Sequence, residues 1–418
     1  MLFLAAHAVA FCGGLGLTFL MPQLFPVESY AKYAWLSSIL NFVVPLASFG
    51  LPPVIIRNYK NGSERNFSLK QLVKYCGYIG LALSSSVTIG IGLIQGIEWG
   101  IVLLIIATAV TSAHLIIRAS GYRAGRAGGL YFITVAAQKP LLAVLLVAFL
   151  FLGLKRNFEV FLLAYIASNL ICILLARKHY LPSDENKSRE TPEKLSAPLK
   201  LCLSLTFMNA VVMLAPVLDR SFLISVGDEQ ILAEYGFNSE FAQKILATLL
   251  ILMKVAVYPR IFTGVRLEEK RRYYQTLYRC SGFGLCAIVL IWLLIPYLYN
   301  PLLNILSVPS DYQNSDLFAL QASYAVLNLL TYIALIGTIM AGRSYVVNCG
   351  AILFLIIQAI GLYLLVPKFS GIGAALALII AQGFLLIFYL AANARNLKGY
   401  ASKAIDISKE TALQNYHS

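Results

Sequence analysis

Apolar runs of about 20 residues, separated by short polar stretches, recur along the whole chain, and each is long enough to cross a hydrocarbon core as a helix. In lipid a spanning segment must satisfy its own backbone groups, so such runs are read as helices rather than open strands. The pattern predicts twelve spans, at about 2–21, 31–56, 73–95, 99–118, 130–153, 159–177, 199–226, 232–258, 274–297, 316–341, 345–366 and 372–394. The first run has no basic n-region and no cleavage site, so it reads as a span and not as a signal peptide. The polar stretch holding Pro182, Pro192 and Pro198 suits a flexible linker and divides the chain six spans plus six. The expected division is a lobe at 1–178, a linker at 179–198, a second lobe at 199–396 and a tail at 397–418.

Composition agrees with the pattern. Of the 418 residues 59% are hydrophobic and only 12% charged, with a mean hydropathy of +0.76. A soluble domain carries about a quarter charged residues. The formal charge of +14 would suggest a nucleic-acid partner in a soluble protein. Here it follows the spans. Basic residues crowd the stretches at 57–74, 118–126, 177–200, 260–279 and 395–409, whereas the opposite loops hold only Lys32, Lys155, Arg156 and Lys368. That asymmetry places both termini in the cytoplasm, with membrane lipid rather than nucleic acid as the partner of the basic faces.

Within this apolar chain, Leu199–Pro259 is anomalous. It reads as two spans, yet it carries Asp219, Arg220, Glu240, Lys244 and Lys254. Five such charges facing lipid would cost on the order of 15 kcal/mol, so they must face the bundle interior, one another or a wet cavity. Glu240 and Lys244 are spaced as an i,i+4 acid–base pair, and Lys254 falls on the same side about 21 Å further along. Thr206, Asn209, Met213, Pro216 and Arg220 form one stripe on the preceding helix. Facing seams of this kind would line a cationic path, because the bases outnumber the acids; internal salt bridges locking two helices together are the other reading.

Other interruptions are weaker. Lys139-Pro140 couples a cation to a helix break near Ala136, read either as a binding element or as a kink with a snorkelling lysine. Asn41, Pro45, Ser48 and Pro52 on the second span, and Gln321, Tyr324, Asn328 and Thr331 on the tenth, form polar stripes that suit a cavity wall or interhelical hydrogen bonds equally. His7 reads as a packed or hydrogen-bonded histidine rather than a proton relay. The scattered cysteines have no metal-ligand spacing, and Gly121–Gly129 lacks the Lys-Ser/Thr end of a phosphate loop. No metal, nucleotide or cofactor site is expected, and no set of catalytic residues marks an enzyme.

Tyr30–Arg57 (YAKYAWLSSILNFVVPLASFGLPPVIIR), Leu218-Asp219-Arg220 followed by Ala233-Glu234-Tyr235-Gly236 and Val257-Tyr258-Pro259, and Val366-Pro367 through Gly371–Ala375 together resemble the polysaccharide flippases of the O-antigen branch. These belong to the multidrug, oligosaccharidyl-lipid and polysaccharide exporter superfamily. The likeness runs over nearly the whole chain in loose motifs; the amino end is shorter than usual for the family, with no basic residue before the first span. The resemblance implies an all-α integral membrane protein with twelve transmembrane helices in two pseudo-symmetric six-helix lobes around a central cavity. It implies a substrate, an undecaprenyl-diphosphate-linked oligosaccharide, moved by alternating access from the inner to the outer leaflet of a bacterial plasma membrane. A polysaccharide polymerase and chain-length proteins would be its partners.

On that reading Arg220, Lys244, Lys254 and Lys139 attract the anionic headgroup, and Arg57 and Arg118 capture it at the entrance. Asp219 and Glu240 hold the bases and exchange protons or sodium. The alternatives are a small-molecule or drug antiporter of the same superfamily and, further off, a membrane polymerase or ligase.

Overall fold

The structure is a computed structural model describing residues 2–59, 68–154, 157–177, 181, 196–226, 228–262, 267–340 and 344–416. Apart from a 3₁₀ turn at Ser310–Tyr312, its regular elements there are α-helices: α1 (Leu2–Leu24), α2 (Val27–Ser48), α3 (Leu51–Asn58), α4 (Leu69–Gln95), α5 (Trp99–Ala124), α6 (Gly128–Val135), α7 (Gln138–Phe151), α8 (Phe158–Leu175), α9 (Ser196–Val226), α10 (Glu229–Phe262), α11 (Leu267–Ile305), α12 (Ser315–Met340) and α13 (Ser344–Tyr416). Ten described segments are long and apolar enough to cross a membrane. The chain is an all-α, multi-pass membrane protein. Two features reconcile ten with the expected twelve. The 34-residue α10, about 51 Å long, corresponds to the charged eighth span, and α13 holds two spans joined at a non-helical residue, Ser370.

Helix ends follow local chemistry. Ser68 accepts from the Gln71 N–H at the start of α4, and Asn157 does the same for Val160 at the start of α8. The second span is broken where Phe49 and Gly50 both turn left-handed, after which Pro52 and Pro53 start α3. Gly50 is required twice over: its φ is +61°, and a Cβ there would strike the Cys202 carbonyl of α9. The fifth span breaks between α6 and α7, just before Lys139-Pro140, as the proline predicts. Several helices overrun their expected spans: α5 continues to Ala124, α13 to Tyr416, and α11 begins at Leu267. Pro296 and Pro301 do not end the ninth span; α11 runs through both to Ile305. Prolines are tolerated in a span where neighbouring groups satisfy the freed carbonyls.

The contacts define two compact units, Met1–Phe237 with Ser307–Tyr312, and Asn238–Leu306 with Gln313–Ser418. In the first, α2 is the hub, packing on α4, α5 and α9, while α5 and α7 pack on α8 and α1 packs on α6 and α7. One apolar cluster joins Phe49, Leu51, Val54, Ile55, Leu69, Leu72, Ile117 and the thiols Cys76 and Cys202; another joins Ala6, Tyr122, Tyr131, Ala136 and Ala176. In the second unit α12 lies against α11 and α13. Large apolar side chains such as Ile94, Leu103, Val144 and Phe151 in the first unit, and Phe283, Val289 and Ile360 in the second, face outward. In water such patches would drive association; in a bilayer they meet hydrocarbon.

Candidate functional site

The Asp219–Arg220 dipeptide of α9 is fully inside the first unit, at 1% and 4% exposure. Consecutive helical residues point about 100° apart, so the two reach different neighbours. Asp219 Oδ2 accepts from the Tyr235 hydroxyl of α10 at 2.8 Å. Arg220 Nη1 donates to the Ala34 carbonyl of α2 and to Ser37 Oγ, the latter at 3.3 Å. Next to it, Trp35 Nε1 donates to Ser221 Oγ at 3.3 Å.

The sequence of α2 prepares this contact. Ser37 and Ser38 return their hydroxyls to the carbonyls of Ala34 and Trp35, a back-bonding that loosens the helical ladder locally and offers Ala34 O to a second donor. Small residues let the helices close in, since a Cβ on Gly236 of α10 would sit 2.5 Å from that of Ala34. Arg220 Nε is buried without a hydrogen-bond partner. A buried guanidinium that is held by neutral oxygens and short of one acceptor keeps a donor for a further acceptor.

A second polar centre joins α5, α7 and α8. Asn169 Nδ2 donates to Ser112 Oγ at 2.9 Å and to Thr111 Oγ1 at 3.1 Å, and its Oδ1 accepts from Gln138 Nε2 at 3.2 Å. Lys139, adjacent to Gln138, is half-buried; its Nζ donates to the Tyr165 hydroxyl at 3.2 Å and lies 4.8 Å from that ring's centroid. Aromatic contacts continue from Tyr165 through Phe161 to Tyr33 on α2. Of this centre the sequence singled out only Lys139. Gln138, Asn169, Thr111, Ser112 and Tyr165 escaped, although polar residues inside apolar runs are the signal that would have found them.

The remaining candidates are dispersed. Arg118 Nη1 donates to the carbonyls of Ile173 and Ala176 at 3.3 and 2.8 Å, and its Nε to His114 Nε2 at 2.9 Å. It therefore caps the last turn of α8, whose carbonyls lack intrahelical partners and form the negative end of the helix dipole. Glu240 and Lys244 are half-buried on α10 in the second unit. The side chains of Arg57 and Lys254 lie outside the described residues. His7 is hydrogen-bonded to the Tyr131 hydroxyl at 3.0 Å, the packed role expected of it. Of the two polar stripes, Ser48 back-bonds to the Pro45 carbonyl and Thr331 to that of Leu327. Gln321 is fully buried on α12, and neither of its amide atoms has a hydrogen-bond partner.

The acids of residues 1–177 are Glu28, Glu64, Glu98 and Glu159. Glu28 and Glu159 occupy the first turns of α2 and α8, and Glu98 is the N-cap of α5. There they complement the positive helix ends, and none lies in the interior of a described span. No group of His, Cys, Asp and Glu that could hold a metal ion occurs among the described residues.

No family model and no curated protein sequence matches the chain. Solved structures do. The chain is similar to a multidrug resistance MATE family transporter of the MOP superfamily in its inward-facing conformation, with a TM-score of 0.59, 15% identity and 96% of each chain covered. It is similar to a mutant of the Vibrio cholerae MATE transporter VcmN, with a TM-score of 0.55, 16% identity, and 95% and 97% covered. It is also similar to a MOP superfamily transporter from Pyrococcus furiosus whose binding pocket has reversed polarity, suggesting a different function, with a TM-score of 0.50, 14% identity, and 95% and 96% covered. The chain thus has the fold of the MATE transporters of the MOP superfamily.

Proposed function

We propose that this transporter-fold protein is a flippase that carries a lipid-linked oligosaccharide on a diphosphate, such as an undecaprenyl-diphosphate-linked repeat unit, across a bacterial plasma membrane. The observation that carries this reading is the way the interior cations of the first unit are held. Lys139 is met by a tyrosine, and Arg220 by a backbone carbonyl and a serine. Neutral hydrogen-bond partners leave both cations able to take an anion as a further acceptor, and an ionisable residue inside a span is a functional candidate by default. A cationic cargo would need interior carboxylates; the described spans α1–α8 hold none in their interiors, and the first unit's buried acid, Asp219, is engaged by the Tyr235 hydroxyl.

In this scheme the diphosphate moves past the cations while its lipid tail stays in the bilayer. Lys244 and Lys254 extend the path, Arg57 receives the headgroup, and Asp219 and Glu240 exchange protons or sodium as two six-helix lobes, 1–178 and 199–396, rock about the 179–198 linker. Arg118 joins Arg57 at the entrance only if a substrate phosphate displaces its α8 carbonyls. Both termini lie in the cytoplasm, and a polymerase and chain-length proteins receive the product.

The second reading, a small-molecule or drug antiporter, has its own support: structural neighbours of this chain include multidrug MATE transporters, and fold likeness by itself leans that way. The polarity of the interior is what sets it second here, and the Pyrococcus transporter is a precedent for reversed pocket polarity on this fold. The deciding experiment deletes the gene and locates the lipid-linked saccharides. Single repeat units trapped on the cytoplasmic leaflet support flipping. An unchanged lipid-linked pool, with raised sensitivity to cationic dyes, supports the antiporter. Unpolymerised units on the outer leaflet support a polymerase.

A further inference from the structure

A cavity of about 320 Å³ opens between α2, α4 and α5, wholly within the first unit and separate from the Asp219–Arg220 and Lys139 centres. Its walls are apolar, made by Ala47, Val73, Leu81, Val110, Ala113 and Ile117. Lys74, Tyr78 and His114 supply its polar groups. Gly77 forms its floor on α4: a Cβ placed there meets nothing within 4 Å, so the cavity passes over bare helix backbone.

The charge at its mouth is one-sided. Lys74 is exposed, exposed Lys70 stands one turn before it on the same face, and the first turn of α4 contains no acid. His114 Nε2 accepts from Arg118, which leaves Nδ1 as the ring's donor. The surface around the mouth is not that of a water-filled cleft. Tyr75, Tyr78 and Ile79 are 53%, 61% and 43% exposed, the mixture of tyrosine and aliphatic side chains found where a protein meets the edge of a bilayer.

We propose that this cleft is a binding site for an anionic phospholipid of the surrounding bilayer. Its phosphate pairs with Lys74, and the first carbons of an acyl chain lie over Gly77 against Val110, Ala113 and Ile117. A free phosphate ion would gain nothing from the apolar walls, and a zwitterionic lipid brings its own cation to the lysine. The site is independent of the cargo, and it couples the seating of α4 on α2 and α5 to the composition of the membrane.

The test uses the purified full-length protein and native mass spectrometry, titrating phosphatidylglycerol and phosphatidylcholine. The expected result is preferential retention of phosphatidylglycerol. Lys74→Gln weakens it about fivefold, as loss of one charge near a lipid surface predicts. Gly77→Leu, which fills the cleft without meeting a neighbour at Cβ, removes the preference. Equal retention of the two lipids by the parent protein, or unchanged retention by both variants, overturns the proposal. Displacement of phosphatidylglycerol by an equimolar amount of undecaprenyl phosphate also overturns it, because the cleft would then belong to the cargo. None of these readouts measures transport, so the proposal stands or falls apart from the flippase reading.

Discussion

Arg118 on α5 and Arg220 on α9 present the same difficulty, a permanent charge on a largely apolar helix, and the structure resolves it in two ways. Arg118 lies where α8 ends, and its guanidinium takes up carbonyls that the helix leaves without partners. Its charge is balanced by the negative end of a helix. Arg220 meets α2 in mid-helix, where Ala34 O already serves the helix ladder and Ser37, and its Nε is left with no acceptor. The first arrangement completes a helix. The second is a buried charge that an approaching anion would stabilise, and it marks α9 rather than α5 as the place to look for transport.

The sharpest way to break this contrast is Arg220→Met, which keeps the stem and removes the charge. Transport in the leaflet assay is expected to fall on the order of a hundredfold while the protein still purifies as a folded species. Normal transport by this variant would remove Arg220 from the path. Tyr235→Phe leaves buried Asp219 short of one hydrogen bond, and thermal unfolding in detergent should show a loss of about 2 kcal/mol. Arg118→Ala should cost about 1.5 kcal/mol through the uncapped end of α8, with transport per folded molecule unchanged. A transport defect well beyond the stability loss would place Arg118 at the entrance after all. The smallest effect is a gain: Gln321→Leu replaces a buried amide that has no hydrogen-bond partner and should raise stability by about 1 kcal/mol in the same melt.

Much of the fold was legible because lipid leaves a chain few options. Run length gave the spans, and the break before Lys139-Pro140 was announced by its proline, whereas the break at Phe49–Gly50 fell inside an expected continuous span. Span ends were less legible: α5 runs six residues past its expected end and α11 runs through Pro296 and Pro301 to Ile305, because a proline reports only a missing donor and not whether neighbours compensate for it. The α9 charges stood out for the same reason the spans did, since each violates an apolar background. Their partners did not. Arg220 is held by the Ala34 carbonyl, and a backbone acceptor has no letter in the sequence. The Gln138–Asn169 network was passed over because a neutral amide in an apolar run costs little enough to look like packing. Only the meeting of α5, α7 and α8 shows that these side chains converge.

The turn at Ser370 bears on how the molecule is made. Gly373 lies against the Leu365 carbonyl, and Gly361 of the first half of α13 faces Ala377 of the second, where a Cβ on the glycine would come within 2.9 Å of the alanine's. Bare backbone on one side and a methyl on the other let the two halves close on each other with contacts drawn entirely from this hairpin. A pair of spans that closes on itself in this way can enter the bilayer as one piece and dock on α12 afterwards. Bulky substitutions at Gly361 or Gly373 would therefore prise this hairpin open, and the damage would fall on the insertion of the pair rather than on the spans that precede it.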